Sequence, residues 1–234
     1  MSDASPQPKK ENMLVNLAFN IILPTFILIK LSKEQYLGPT LGLVLALAFP
    51  IVYGIWDYVT RSKFNLFSAI GIVSILLTGG ISLLELDPKY IAIKEASIPG
   101  ILAIIALVSA FTPYPFIRTI FFNETVVQVD KIKNALAERN NEAEFDKTLK
   151  NATFLVALSF VVSSVLNYLL AKWIVISPPG TEEYNSQLGK MQILSYPVIV
   201  LPATVILIVA MYYLFRNVTR LTGLTLEDLF AQSN

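Results

Sequence analysis

The sequence predicts an all-α fold, a polytopic membrane helix bundle, on three observations. Hydrophobic residues make up 54% of the 234-residue chain and charged residues only 15%, with a mean hydropathy of +0.60. A soluble domain carries about 25% charged residues, so this chain has too little charge to cover a water-exposed surface. Several apolar runs also approach the roughly 20 residues a helix needs to cross a bilayer. No alternating barrel pattern occurs, and lipid offers no partners for unpaired backbone groups, so the runs are expected to be helices.

Six spans are expected: Met13–Leu31, Thr40–Val59, Phe64–Leu84, Tyr90–Thr112, Ala152–Ile176 and Met191–Phe215. Before them, residues 1–12 ("MSDASPQPKKEN") are polar with two prolines and read as a disordered tail. The first apolar run is long for a signal-peptide core and lacks a small-residue cleavage pattern after it, so it reads as a retained helix. Residues 13–216 form the expected transmembrane domain, with a polar loop at 123–151 and a short amphipathic tail at 217–234. Within the loop, Val126, Val129, Ile132 and Leu136 recur at three- and four-residue spacing, the signature of an amphipathic helix. That helix reads as a connector on the membrane surface or against the bundle, or else as a docking helix for a partner. In the tail, Thr225 is placed to cap a short interfacial helix with Glu227 and Asp228 in its first turn.

Basic residues orient the spans. With both termini cytoplasmic, that side carries Lys9, Lys10, Arg61, Lys63, Arg118, Lys131, Lys133, Arg139, Lys147, Lys150, Arg216 and Arg220. The other side carries Lys30, Lys33, Lys89, Lys94, Lys172 and Lys190, so 12 of the 18 basic residues lie inside and 6 outside. Each even-numbered span follows an outer lysine and precedes an inner arginine: Lys33 and Arg61, Lys94 and Arg118, Lys190 and Arg216. Together with the similar openings "KEASIPG" and "KMQILSYP", this echo suggests three pseudo-repeated hairpins.

Cysteine and histidine are both absent from the sequence. Disulfides, thiolate or imidazole metal sites and Cys- or His-based catalysis are therefore excluded, and no metal or cofactor is expected. A net charge of +1 gives no concentrated basic surface for nucleic acid. A membrane enzyme would be left with Ser/Lys chemistry, and the spacing of Lys94 and Ser97 is too common to point to it.

Polar residues inside the spans are the first candidates for function. Asn16 and Asn20 share a face of the first span, and Pro24 removes the backbone donor that would bond the Asn20 carbonyl, predicting a kink. Ser74, Thr78 and Ser82 form a stripe beside Gly79 and Gly80, and Ser159, Ser163 and Asn167 form another. Such stripes read either as close helix packing or as walls of a polar cavity among proline-broken helices. Asp57 is placed to pair with Arg61, next to Trp56 and Tyr58 in an interfacial belt.

One stretch, "LTGGISLLELDPKYIAIKEASIPGILAI", concentrates Glu85, Asp87, Lys89, Lys94 and Glu95 between two apolar runs. Asp87 and Pro88 suit a helix start, Lys94 is expected to snorkel outward or pair with Glu85, and Pro99 is expected to break the helix. Here the chain resembles the intracellular septation protein A family of bacterial inner-membrane proteins. The resemblance rests on Gly79, Gly80, Asp87, Tyr90, Ile91 and Lys94 at the family's spacing, with Asn167 and Trp173 in "LNYLLAKWI", Lys190 entering the last span, and Leu23, Pro24 and Lys33. It covers most of Leu23 to Phe215, but the polar loop is longer than the family's and both terminal extensions fall outside its pattern.

The resemblance implies an inner-membrane protein of cell-envelope maintenance or division that acts through other membrane proteins of septation or cell-wall elongation. It carries no catalytic residue over. Lys33, Gly79, Gly80, Asp87, Tyr90, Lys94, Asn167, Trp173 and Lys190 inherit only the standing of family-motif positions. A homo-oligomer is compatible with this reading. The competing expectation is a small transporter or channel, with outer lysines attracting an anionic solute.

Overall fold

The computed structural model describes residues 13–61, 66–124 and 126–230, the side chains of Met13, Tyr58, Thr60, Arg61 and residues 66–69 excepted. The terminal tail 1–12, the start of the third span at Phe64 and the Asp57–Arg61 pairing lie outside what is described.

The described chain is helical, with one isolated bridge between Val127 and Phe230. Helix α1 runs through Met13–Leu17, Ala18–Ile22, Leu23–Phe26 and Ile27–Leu31, the second and fourth segments being π-helical. It is followed by α2 (Gly38–Arg61), α3 (Leu66–Leu83), α4 (Lys89–Ser109), α5 (Phe116–Phe121), α6 (Val129–Glu138) and α7 (Glu142–Ile174). Helix α8 joins Glu182–Ser195, the π-helical Tyr196–Val200 and Leu201–Thr222, and α9 is Leu226–Leu229. Five of these helices, α1, α2, α4, α7 and α8, are long and apolar enough to cross a membrane. The third of the six expected spans corresponds to α3, whose described apolar stretch, Ile70–Leu83, is shorter.

Two features correct the expectations, and a third shows how Pro24 is housed. Pro99 lies inside an unbroken α4, so the predicted break does not form. Pro24 is accommodated in α1 by π turns on either side of Leu23–Phe26, the extra residue absorbing the missing backbone bond. Helix α7 begins at Glu142, ten residues before the expected span, and so takes up the second half of the polar loop. Phe145, Leu149, Ala152 and Val156, at helical spacing, form its buried face across that junction.

The single domain expected over 13–216 contains two compact units. Unit 1 comprises residues up to Glu95 and Tyr168–Tyr196, and unit 2 comprises Ala96–Asn167 with Pro197–Asn234.

In unit 1, α1 packs closely against α2 and α8. A Cβ on Gly42 would come within 2.7 Å of the Ser32 Cα, and one on Gly189 within 2.7 Å of Ile29 Cγ1. Small residues at such crossings let apolar helices approach. Ile27, Leu28, Leu43, Ile91, Tyr184 and Leu188 fill the core. The connections 32–37, 84–88 and 175–181 meet: the Glu182 carboxylate accepts from the Glu34 N–H, and Gly180 abuts the Glu85 carboxylate. Glu85 itself closes α3 with φ 51°, while Leu86 N–H bonds the Ile81 carbonyl at 2.9 Å. A left-handed residue with this bond closes a helix, commonly as glycine; here a glutamate takes the position.

Unit 2 is built around the polar loop. The face read from the sequence is correct: Val129, Ile132 and Leu136 of α6 are buried together with Leu149, Leu214, Val218 and Leu229. The apolar face of α6 is therefore covered within the chain. The tail packs against the same core. Thr225 and Asp228 form a reciprocal capping box on α9, Leu229 is fully buried, and Gln128 N–H bonds the Leu229 carbonyl at 2.9 Å. Helix α8 ends at Gly223, whose φ of 70° is the left-handed conformation that favours glycine, beside the Arg139 guanidinium.

Candidate functional site

The densest polar arrangement lies in unit 1, where Lys94 of α4 reaches α3. Ser74, Thr78 and Ser82 repeat every four residues, so they share one face of α3. Lys94 Nζ donates to Ser74 Oγ at 3.1 Å and Thr78 Oγ1 at 2.9 Å. It also pairs with Glu95 Oε1 at 2.6 Å, and the Lys94 side chain is only 8% exposed. An ammonium has three N–H donors, so these three oxygens match its donor count.

This corrects the expectation for Lys94, which neither snorkels outward nor pairs with Glu85. The hydroxyls are themselves committed. Thr78 Oγ1 donates to the Ser74 carbonyl at 3.1 Å and Ser82 Oγ to the Thr78 carbonyl at 2.7 Å. One turn further, Ser82 Oγ and the Tyr184 hydroxyl of α8 lie 2.8 Å apart. The stripe thus ties α3 to α4 and to α8. A buried ammonium is costly unless it is paired and hydrogen-bonded, and here a carboxylate and two hydroxyls offset that cost.

A second polar tie forms at the proline of α1. Pro24 has no N–H to offer the Asn20 carbonyl, and that carbonyl accepts from Gln192 Nε2 of α8 at 3.3 Å. The Gln192 Oε1 accepts from Thr25 Oγ1 at 3.1 Å, so one amide bridges both sides of the proline turn. Asn20 Nδ2 donates to the Asn16 carbonyl and Oδ1 within α1, at 3.0 and 3.2 Å. Asn185 of α8 adds a bond to the Pro39 carbonyl at 2.7 Å.

The remaining family-motif positions are dispersed. Gly79 is buried at the α2 crossing, where a Cβ would lie 3.1 Å from Leu47 Cδ1, whereas nothing crowds Gly80. Asp87 accepts from the Lys89 N–H at 2.8 Å as a helix cap, and this bond, with the Lys89 ammonium 3.1 Å away, holds its carboxyl below the usual range. Tyr90, Trp173, Lys33 and Lys190 are exposed. The three lysines of the hairpin echo therefore differ in environment, since Lys94 alone among them is buried.

In unit 2, Ser159 Oγ bonds the Ala203 carbonyl at 2.9 Å, a cross-helix contact of the packing kind. Asn167 instead returns to the Ser163 carbonyl of its own helix at 2.8 Å. Ser164, absent from the expected stripe, reaches the Ala96 carbonyl at 2.8 Å opposite Gly100. Tyr184, Gln192 and Ser164 were not singled out from the sequence. Their partners lie far along the chain, and a polar residue near a proline was the sole local signal.

Among the described residues, no group of three or more Asp or Glu side chains is placed to hold a metal ion. Comparisons with protein-family models, with characterised proteins and with solved structures give no match for the chain.

Proposed function

We propose that the chain is an integral membrane protein with six spans and both termini cytoplasmic, acting without catalysis through contacts with other membrane proteins. The observation that supports this most is how its intramembrane polar groups are used. Lys94 bonds Ser74 and Thr78, Ser82 bonds Tyr184, and Gln192 bonds Thr25 and the Asn20 carbonyl, all across helices of unit 1. Groups spent this way hold a scaffold together and are poorly placed to bind a solute. The resemblance to septation protein A suggests the setting: the bacterial inner membrane, in envelope maintenance or division, beside elongation or septation proteins.

Copurification from native membranes after crosslinking tests the reading. Stoichiometric recovery of division or cell-wall-synthesis proteins is expected. Recovery of the chain alone, as a monomer or homo-oligomer, would overturn it.

A second reading, transport of a small solute, draws on the buried Lys94–Glu95 pair and on the π turns at Pro24 and Pro197. In liposomes, flux that falls in Lys94→Ala while Lys190→Ala behaves as wild type would favour it. Equal flux in all three proteins would remove Lys94 from any transport role.

A further inference from the structure

The cytoplasmic reading of unit 2 leaves several cations without an assigned purpose. Arg118 pairs with Asp146 at 3.1 Å and Lys131 with Asp228 at 2.6 Å, so their charge is used within the chain. Lys147, Lys150, Arg216 and Arg220 are used differently. Lys147 is 68% exposed and only 3.8 Å from an equally open Glu144. Lys150 Nζ sits over the Phe111 and Phe154 rings, at 5.0 and 6.0 Å to their centroids. Arg216 lies over the Tyr212 ring and bonds its hydroxyl at 3.3 Å, while Arg220 bonds Asn217 Oδ1 at 3.0 Å.

These residues fall on two packed helices at one level. On α7, Lys147, Lys150 and Asn151 lie at three- and four-residue spacing, followed by Phe154 and Leu158. On α8, Arg220, Arg216, Tyr213 and Tyr212 lead in the same way to Val209 and Val205. The helices are joined there by Asn151 Nδ2 donating to the Tyr213 hydroxyl at 3.1 Å, and deeper by Ser159 on the Ala203 carbonyl. That leaves the Tyr213 O–H free to donate outward. Immediately on the apolar side, Leu158, Val205, Val209 and Tyr212 are all about half exposed or more. A cationic, hydroxyl-bearing mouth therefore opens directly onto an apolar face.

We propose that this seam between α7 and α8 binds an anionic phospholipid, its phosphate at Lys147, Arg216 and the Tyr213 hydroxyl and its acyl chain along Leu158, Val205 and Val209. The site rests on the membrane reading but not on any partner or transport role. A free phosphate would use the cations and leave the apolar face bare, so the lipid is the occupant that matches both halves. Each lysine or arginine near an anionic bilayer surface contributes about a fivefold preference. Loss of two should therefore reduce binding roughly twenty-five-fold.

The test is native mass spectrometry of the detergent-purified full chain titrated with phosphatidylglycerol or phosphatidylcholine, in wild type and in Lys147→Gln/Arg216→Gln. Wild type should retain phosphatidylglycerol well over phosphatidylcholine, the double variant should lose that preference, and Lys133→Gln on the exposed side of α6 should keep it. Inorganic phosphate should not compete. Equal retention of both lipids by wild type, undiminished preference in the double variant, or displacement by phosphate would each overturn the site. The wild-type comparison decides the matter alone if the double variant fails to fold. A failure here leaves the scaffold reading intact, since copurification tests that separately.

Discussion

In unit 1, helices are tied by side chains that donate across the gap: Lys94 to Ser74 and Thr78, Thr25 to Gln192, and Asn185 to a backbone carbonyl. Unit 2 has cross-helix bonds of its own, Ser159 to the Ala203 carbonyl and Asn151 to Tyr213, but they flank a larger apolar cluster. That cluster includes Ile132, Leu149, Leu214, Val218 and Leu229, with Phe121 edge-on to Phe215 at 5.0 Å between centroids. Apolar helices in lipid gain little from hydrophobic contact with one another, because acyl chains are as apolar as leucine. Close glycine crossings and polar ties then set which helices pair. The amphipathic α6 and the start of α7 carry exposed charge on one side and gain by burying the other face away from water. The two units thus reach specific packing by different routes.

The comparison is broken most severely at Lys94. Replacing it with Ala leaves the mostly buried Glu95 carboxylate without its cation, at a cost of about 3–5 kcal/mol. Thermal unfolding in detergent should show this, and Lys94→Met combined with Glu95→Gln should recover much of the loss, since a neutral pair leaves no stranded charge. Next in size, Leu214→Ala in unit 2 should cost about 3 kcal/mol by opening a cavity. Leu214→Met there should cost under about 1.5 kcal/mol, because shape rather than polarity is what unit 2 requires. Gln192→Ala should cost about 1 kcal/mol by releasing the proline turn of α1, detectable as faster proteolysis or a small fall in the unfolding midpoint.

The smallest expected effect is a pH response at α9. The Lys131 ammonium, with Thr225, holds the Asp228 carboxyl down at about 2. The group is depressed in the folded chain, so its contribution is complete above the ordinary carboxylate value near 4 and is lost as pH falls toward 2. Hydrogen exchange should show residues 225–230 loosening between about pH 4 and 2 while the buried stretch of α7 around Leu149 and Ala152 keeps its protection. Lys131→Met should move that loosening to higher pH.

How much of this was legible in the sequence depended on range. The buried face of α6 and the Thr225 cap were readable because periodicity and capping act within a few residues. The stripe Ser74, Thr78 and Ser82 was readable as a stripe, but its occupant was not. Local spacing leaves Lys94 either to snorkel outward or to pair with Glu85, whereas the register of α3 against α4 delivers it to Ser74 and Thr78, 20 and 16 residues away. The Gln192 bridge spans 172 residues and leaves no local trace beyond Pro24. The early start of α7 was hidden by the polar composition of Glu142–Asn151, although Phe145, Leu149, Ala152 and Val156 already carried a helical repeat across the boundary.

The central claim, that the buried polar groups of unit 1 are ties of the fold, is tested most directly by a double-mutant cycle. It would compare Lys94→Met, Ser74→Ala/Thr78→Ala and their combination by unfolding in lipid nanodiscs. A coupling of about 1–2 kcal/mol is predicted, with the combined variant barely less stable than Lys94→Met alone. Strictly additive losses would contradict the account, because Lys94 would then owe nothing to the hydroxyls of α3.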